Sequence, residues 1–257
     1  TLDPHSFPTR RSSDLEKLSL TIHKSDFAKM KIIGQFNLGF ILASRTSHGS
    51  DSTNKASDDV FIIDQHASDE KYNFERLQAS TTVQSQRLVK PKPLSLTAVE
   101  EEIVIEHLDA LETNGFLLKI DHDAPVGERC HLVALPLSRE TTFSLSDLEE
   151  LIVLLTEAPA GQIPRPSKVR RMFAMRACRS SVMIGRTLTT KQMANLVAHM
   201  GEIDKPWNCP HGRPTMRHLC GLGGWDEEGW KEGQGVDGEI DGGTDWNAYV
   251  RRKETTN

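Results

Sequence analysis

The sequence predicts an α+β fold. Three observations carry that expectation: short β-prone apolar runs, separate stretches of helical periodicity opened by capping signatures, and the lack of any internal repeat. Residues 1–22 show no usable periodicity. The run SFPTRRSSDL resembles translated adapter sequence more than protein, so residues 1–24 are expected to be disordered or foreign to the fold. Residues 32–43 (IIGQFNLGFILA) are apolar and β-prone, with Gly34 and Gly39 marking bends or close backbone approach. The polar stretch 44–59 reads as a hairpin insertion, residues 60–63 as a short buried strand, and 67–78 as a helix. Residues 82–96 are extended and interrupted by Pro91 and Pro93. Over 97–113 a helix turns Val99, Ile103, Val104, Leu108 and Leu111 inward, and Asn114-Gly115 ends it. Strands are expected at 116–120 and 130–134. Ser146 with Glu149 reads as a capping box for a helix reaching Leu155. Pro159, Pro164 and Pro166 punctuate a loop, after which Ser167 caps a helix running at least to Cys178. Thr189 with Gln192 forms a second capping box, and that helix ends at Gly201. Beyond Leu219 lie nine of the 18 glycines, among acidic residues and scattered tryptophans, so 220–257 reads as a disordered acidic tail.

A chain of 257 residues can bury one large core or two small ones. Its longest apolar run, residues 151–155, is far short of the ~20 residues a membrane span needs, so no membrane partner is expected. No basic-then-apolar secretory pattern opens the sequence. Cys130, Cys178, Cys209 and Cys220 are too scattered for a disulfide framework; a reducing compartment is expected, with cysteines used as ligands or core. The net charge of −5 argues against a generic nucleic-acid binder only until it is located. Residues 221–257 hold nine acids and four bases, which leaves the remainder balanced at 27 of each sign. Within that remainder, 158–201 contains no Asp or Glu but carries Arg165, Lys168, Arg170, Arg171, Arg176, Arg179, Arg186 and Lys191. Such a stretch fits a phosphate backbone, and equally a solvated helix face balanced by acids elsewhere in space.

The chemistry-bearing stretch is FIIDQHASDEKYNFE, residues 61–75. A buried strand delivers Asp64 at its end, and the helix that follows places His66 and Glu70 four residues apart on one face, where both can reach one metal ion. Alone, that pair also fits a surface hydrogen bond. The loop Trp207-Asn208-Cys209-Pro210-His211-Gly212-Arg213-Pro214 offers a thiolate and an imidazole two residues apart, a donor pair that suits zinc. Cys178, near the end of a basic helix, is a third candidate thiolate, or a core residue. Cys130 and Cys220 are left as core or solvent residues.

Taken together these segments resemble the MutL family of mismatch-repair proteins, in its eukaryotic postmeiotic-segregation branch. DQHASDE followed by Glu75 is similar to that family's DQHA, two residues, Glu, four residues, Glu motif. Ala177-Cys178-Arg179, the Cys209 to Pro214 run and GQFNLGFIL at 34–42 are similar to its other motifs, in order. The resemblance implies a two-zinc site on His66, Glu70, Cys178, Cys209 and His211, with Asp64 and Glu70 indispensable for nicking one strand of duplex DNA. It implies Mn2+ or Mg2+ as the ion that turns over, and ATP acting only through an N-terminal half that this sequence lacks. It implies a dimerisation subdomain (25–83 with 178–219) carrying the metal site, an inserted regulatory subdomain (84–177), a MutL homologue as heterodimer partner, and a nuclear location. Within this frame Gln86, Leu88, Val89 and Pro91 resemble a sliding-clamp-binding motif, although an ordinary edge strand would read the same. Arg165, Lys168, Arg170, Arg171 and Arg179 are the expected DNA-backbone contacts. Two rivals stand beside the nuclease: a non-catalytic, zinc-stabilised dimerisation and clamp-binding module, and an unrelated zinc hydrolase, for whose small-substrate pocket the sequence offers no sign.

Overall fold

The computed structural model describes residues 20–47, 57–159 and 161–222. Helix α1 (Lys24–Phe27) leads into strands β1 (Lys31–Phe36), β2 (Phe40–Ser47) and β3 (Ser57–Asp64), and helix α2 (Gln65–Ser80) follows without a linker. Strand β7 (Met216–Gly221) returns from the far end of the chain to complete an antiparallel sheet in the order β1-β2-β3-β7. Ile41 and Ala43 on β2 face the same way as Phe61 and Ile63 on β3, as the two-residue period of a strand requires. All four are fully buried. They pack against Phe27 of α1 and against Met193, Leu196, Val197 and Met200 of helix α7 (Thr190–Glu202).

A second antiparallel sheet has the order β4-β6-β5, from β4 (Ser85–Pro93), β5 (Leu117–Ile120) and β6 (Cys130–Pro136). Alternate residues of β6 are buried beneath α3 (Ala98–Glu106), α4 (Leu108–Thr113) and α5 (Leu145–Glu157), in a core built on Val104, Leu111, Leu148, Leu151, Ile152 and Leu155. A third cluster joins α2 to helix α6 (Ser167–Ser180) through Phe74, Val169, Phe173 and Ala177. Helix α6 crosses the subdomain boundary expected at residue 178. Among the described residues no helix is long and apolar enough to cross a membrane.

Several local expectations are corrected. Strands β2 and β3 extend into the stretch expected to be loop, of which 48–56 lies outside the described residues. The helix expected over 97–113 is two helices, because His107 leaves the helical region at φ −113 and ψ 29. Helix α5 opens one turn-fragment earlier than Ser146 and Glu149 suggest: the box is Ser144 with Asp147, whose Oδ2 accepts the Ser144 N–H at 2.7 Å. Ser167 is the first residue of α6, not its cap; its N–H donates to Glu150 instead. The box on Thr189 and Gln192 opens α7 as expected. Strand β7 was not anticipated, and it carries order through Gly221. Of the stretches expected to be disordered, 1–24 and 220–257, residues 20–24 are described, with Leu20 and Ile22 packed against the first core and Lys24 opening α1, while 1–19 and 223–257 lie outside the described residues.

Candidate metal centre

The site forms where β3 hands over to α2. Asp64 sits in extended conformation as the N-cap of α2, and its Oδ1 accepts the N–H groups of His66 and Ala67, both at 2.9 Å. Two of the donors that every helix start leaves unpaired are satisfied this way. The backbone N–H of Asp64 donates to the carbonyl of Thr215 at 2.9 Å, which pins the strand exit to the end of the cysteine–histidine loop.

His66 is buried, and its Nδ1 lies 2.9 Å from the carbonyl of Val182. A carbonyl only accepts, so Nδ1 donates here and Nε2 is the nitrogen turned to the other candidate ligands, the arrangement that orients a metal-binding imidazole. Nε2 faces the Cys178 Sγ at 3.6 Å and the Glu70 Oε2 at 4.0 Å. Glu70 is 1% exposed, and its Oε1 has no hydrogen bond. His211 Nδ1 comes within 2.6 Å of that oxygen without the direction a hydrogen bond needs. An oxygen this deep that accepts no hydrogen bond is costly, and a cation would complete it.

The second group of donors comes from a tight hairpin. Cys209 N–H donates to the Arg213 carbonyl and Gly212 N–H to the Cys209 carbonyl, each at 2.9 Å. Gly212 has φ +83, a left-handed conformation that explains glycine between His211 and Arg213. Burial pushes the Cys209 thiol up, the N–H groups of His211 and Arg213 pull it down, and the Glu70 carboxylate pushes it up again, with a net rise. Two donor triads result, His66–Glu70–Cys178 and Glu70–Cys209–His211, each with its ligand atoms within 4.8 Å of one another. Glu70 belongs to both. Thiolate, imidazole and carboxylate together are a zinc donor set, and the orphaned Glu70 Oε1 is what a bound cation would satisfy, so the residues fit the ion. Asp64 belongs to neither triad; it lines a separate pocket of about 250 Å3 with Arg213 and Arg217.

With that geometry in place, residues 33–188 match the family model described as the MutL C-terminal dimerisation domain. The chain belongs to that family. It is 52% identical to the mismatch repair endonuclease PMS2 of Homo sapiens over 84% of its own length and 24% of the relative's. It is 52% identical to the DNA mismatch repair protein PMS1 of Saccharomyces cerevisiae over 81% of this chain and 23% of that protein. The MutL protein of Clostridium acetobutylicum is 29% identical over 78% of this chain and 30% of its own length. The chain thus spans about a quarter of the relatives it matches. The matched family region contains His66, Glu70 and Cys178 and ends before the loop that brings Cys209 and His211.

The basic residues of this MutL domain divide sharply. Arg170 and Arg171 are exposed and line a cleft of about 720 Å3 together with Lys71, Glu75, Cys209 and His211. Arg165 is a correction: it is 5% exposed, and its guanidinium donates to the carbonyls of Gln78, Thr81 and Thr113 and to Asn114 Oδ1. No donor is left for a phosphate. Lys168 is held by Asp147 at 2.9 Å and the Thr142 carbonyl at 3.1 Å, and Arg179 makes a bidentate pair with Glu140. On β4, pairing with β6 jumps from Arg87 to Lys92, so Leu88, Val89, Lys90 and Pro91 bulge out of the ladder. Val89 is 100% exposed, Gln86 and Pro91 are exposed, and Leu88 turns partly into the second core.

Sequence reasoning missed Gln65 and Asp69. Gln65 is fully buried with its amide spent on backbone carbonyls, and Asp69 Oδ2 accepts the Val182 N–H at 2.8 Å. Their place between motif residues was the only available signal.

Proposed function

We propose that this chain is the metal-dependent endonuclease and dimerisation region of a mismatch-repair protein, nicking one strand of duplex DNA. The buried Glu70 carboxylate, shared by two donor triads and left with an unbonded oxygen, carries this reading. Two zinc ions would be held by His66, Glu70, Cys178, Cys209 and His211, and Mn2+ or Mg2+ would serve turnover. Such ions supply a bound water of lowered pKa and charge stabilisation on phosphate oxygens. Arg170 and Arg171 border the cleft on the same side as His211 and would hold the DNA backbone without reading sequence. Asp64 spends Oδ1 on the helix cap, which leaves Oδ2 to orient the attacking water or the reactive ion. Lys168 and Arg179, already paired, are at most secondary contacts.

The reading includes a MutL homologue as partner, as the family's description supports. Phe36, Leu38, Met183 and Ile184 are exposed apolar residues around one turn and would form its seat; the first-sheet region would be the dimerisation subdomain and the second-sheet region the regulatory one. The exposed bulge at Val89 would add to a sliding clamp, and the location would be nuclear. Nicking of supercoiled plasmid in manganese tests the whole. Asp64→Asn keeps a good helix cap, so zinc content and thermal stability should hold while nicking falls by orders of magnitude. The position of Asp64 outside both triads favours a second reading, a non-catalytic zinc-stabilised module. That reading stands, and the nuclease falls, if Asp64→Asn nicks as fast as its parent at equal metal load.

A further inference from the structure

The first turn of α2 does more than present metal ligands. Gln65 is 0% exposed and reaches three separate segments. Its backbone N–H donates to the Gly39 carbonyl at 3.0 Å. Its Nε2 donates to the carbonyls of Leu38 at 3.0 Å and Met183 at 2.9 Å, with that of Arg186 at 3.3 Å. Its Oε1 accepts from Gln35 Nε2 at 2.7 Å, and Gln35 Oε1 in turn accepts the Leu188 N–H at 3.1 Å. Beside this amide, His66 Nδ1 and Asp69 Oδ2 take the two sides of Val182, its carbonyl and its N–H. The segment between α6 and α7 is therefore fastened to the metal-binding turn at Val182, Met183 and Arg186.

What Gln65 fastens is a surface under strain. Asn37 and Leu38 both have left-handed φ, +48 and +47, in the β1–β2 turn. For a leucine this is unfavourable, and such residues persist only where their surroundings over-determine them. The Leu38 carbonyl has two donors, Gln65 Nε2 and the Gly185 N–H at 2.7 Å. Leu38, Phe36, Met183 and Ile184 are all exposed, and the Ile184 side chain lies against Gly39 of the same turn.

The geometry points to Gln65 as a positioning residue that couples the metal centre to this apolar surface, so that a metal on His66 preorganises the surface for a second MutL-type chain. It rests on the metal and dimer readings above. A ligand on Nε2 fixes the plane of the His66 ring and with it the bond to Val182; Gln65 carries that order to Met183 and Leu38. Coupling of this kind needs no change of shape, only a narrowing of the ensemble that a partner must select. By linkage, the partner must raise metal affinity by the same factor.

Hydrogen exchange on the full chain, titrated with zinc alone, reads this without a partner. Zinc should slow exchange at the Gly39 and Gly185 amides about tenfold, within the usual span of coupling factors. Gln65→Met should bind zinc with unchanged stoichiometry yet lose that protection. If Gln65→Met does not fold, Gln35→Met carries the test, since it removes the donor to Gln65 Oε1 without touching the helix, and the zinc effect should shrink in it too. Zinc that binds the parent without slowing Gly39 and Gly185, or the same slowing in the variant, overturns the coupling and leaves the proposed function intact. A parent chain that binds no zinc overturns both.

Discussion

The regions around the two sheets handle a buried carboxylate in opposite ways. Under the second sheet, Glu101 is 0% exposed and fully provided for: it accepts the N–H groups of Gly127 at 3.0 Å and Arg129 at 2.9 Å, with the Arg129 guanidinium 3.8 Å away. The Gly127 N–H foremost, then that of Arg129 and its charge, hold the carboxyl below its ordinary range against the opposing effect of burial. Beside the first sheet, Glu70 is as deeply buried, and one oxygen has no hydrogen bond. One glutamate closes a loop. The other sits among metal-ligating side chains. Buried polar groups are partnered as a rule; among the described residues the exceptions are Arg45 Nε and Glu70 Oε1, and of the two only Glu70 lies in a cluster of metal-ligating side chains.

That contrast fails or sharpens on three substitutions. The largest effect is expected at Glu70→Gln, where zinc content should drop and nicking should fall by orders of magnitude. Its stability effect should also depend on metal: in metal-free protein, where the carboxylate has only His66 and His211 beside it, the substitution should cost little, whereas in zinc it should destabilise. Thermal melts with and without chelator decide this; destabilisation in both would mean Glu70 is already satisfied by the protein.

Glu101→Gln is the counterpart. Its amide would turn a donor toward a backbone N–H, costing about 1–3 kcal/mol with or without metal and leaving zinc content untouched. Because the folded pKa of Glu101 lies below its ordinary 4.5, its contribution is present above that value and is lost as pH falls through the depressed one. The variant's urea midpoint should therefore vary less with pH on the acid side than the parent's. An identical acid limb would show that the carboxylate does not matter.

The smallest effect is expected in the β1–β2 turn. Leu38→Gly relieves a left-handed leucine, worth about 1 kcal/mol, and removes an exposed apolar side chain. Thermal stability should hold or rise while association with a MutL-type partner weakens. Association unchanged in sedimentation would take Leu38 out of the interface.

Sequence patterns carried local geometry well and distant pairing poorly. The β3–α2 junction was legible because strand and helix follow one another within a few residues of Asp64, although its role as the cap was not read, and the Thr189–Gln192 box needs only its own four residues. The donor triads were reached through motif resemblance; spacing alone justified His66 with Glu70 and Cys209 with His211, while Cys178 joins them only in space. Strand β7 escaped because Met216–Gly221 lacks alternation and borders a glycine-rich stretch, its order coming from pairing with β3. Leu88 shows what six residues of motif leave unread: the bulge that frees Val89 packs its neighbour partly against the second core. Arg165, among prolines and other bases, gave no sign that its acceptors lie some fifty and eighty residues away.

That arginine has a consequence for how the molecule comes apart. Its planar fork takes the carbonyls of Gln78 and Thr81, where α2 ends, and that of Thr113, where α4 ends. Helix ends are where unravelling begins, since their last carbonyls lack partners within the helix. Here the last carbonyls of a helix from each layer hang on one cation, and releasing either would strand a buried charge. Fraying at either helix end is therefore opposed by the other. The two regions should melt together.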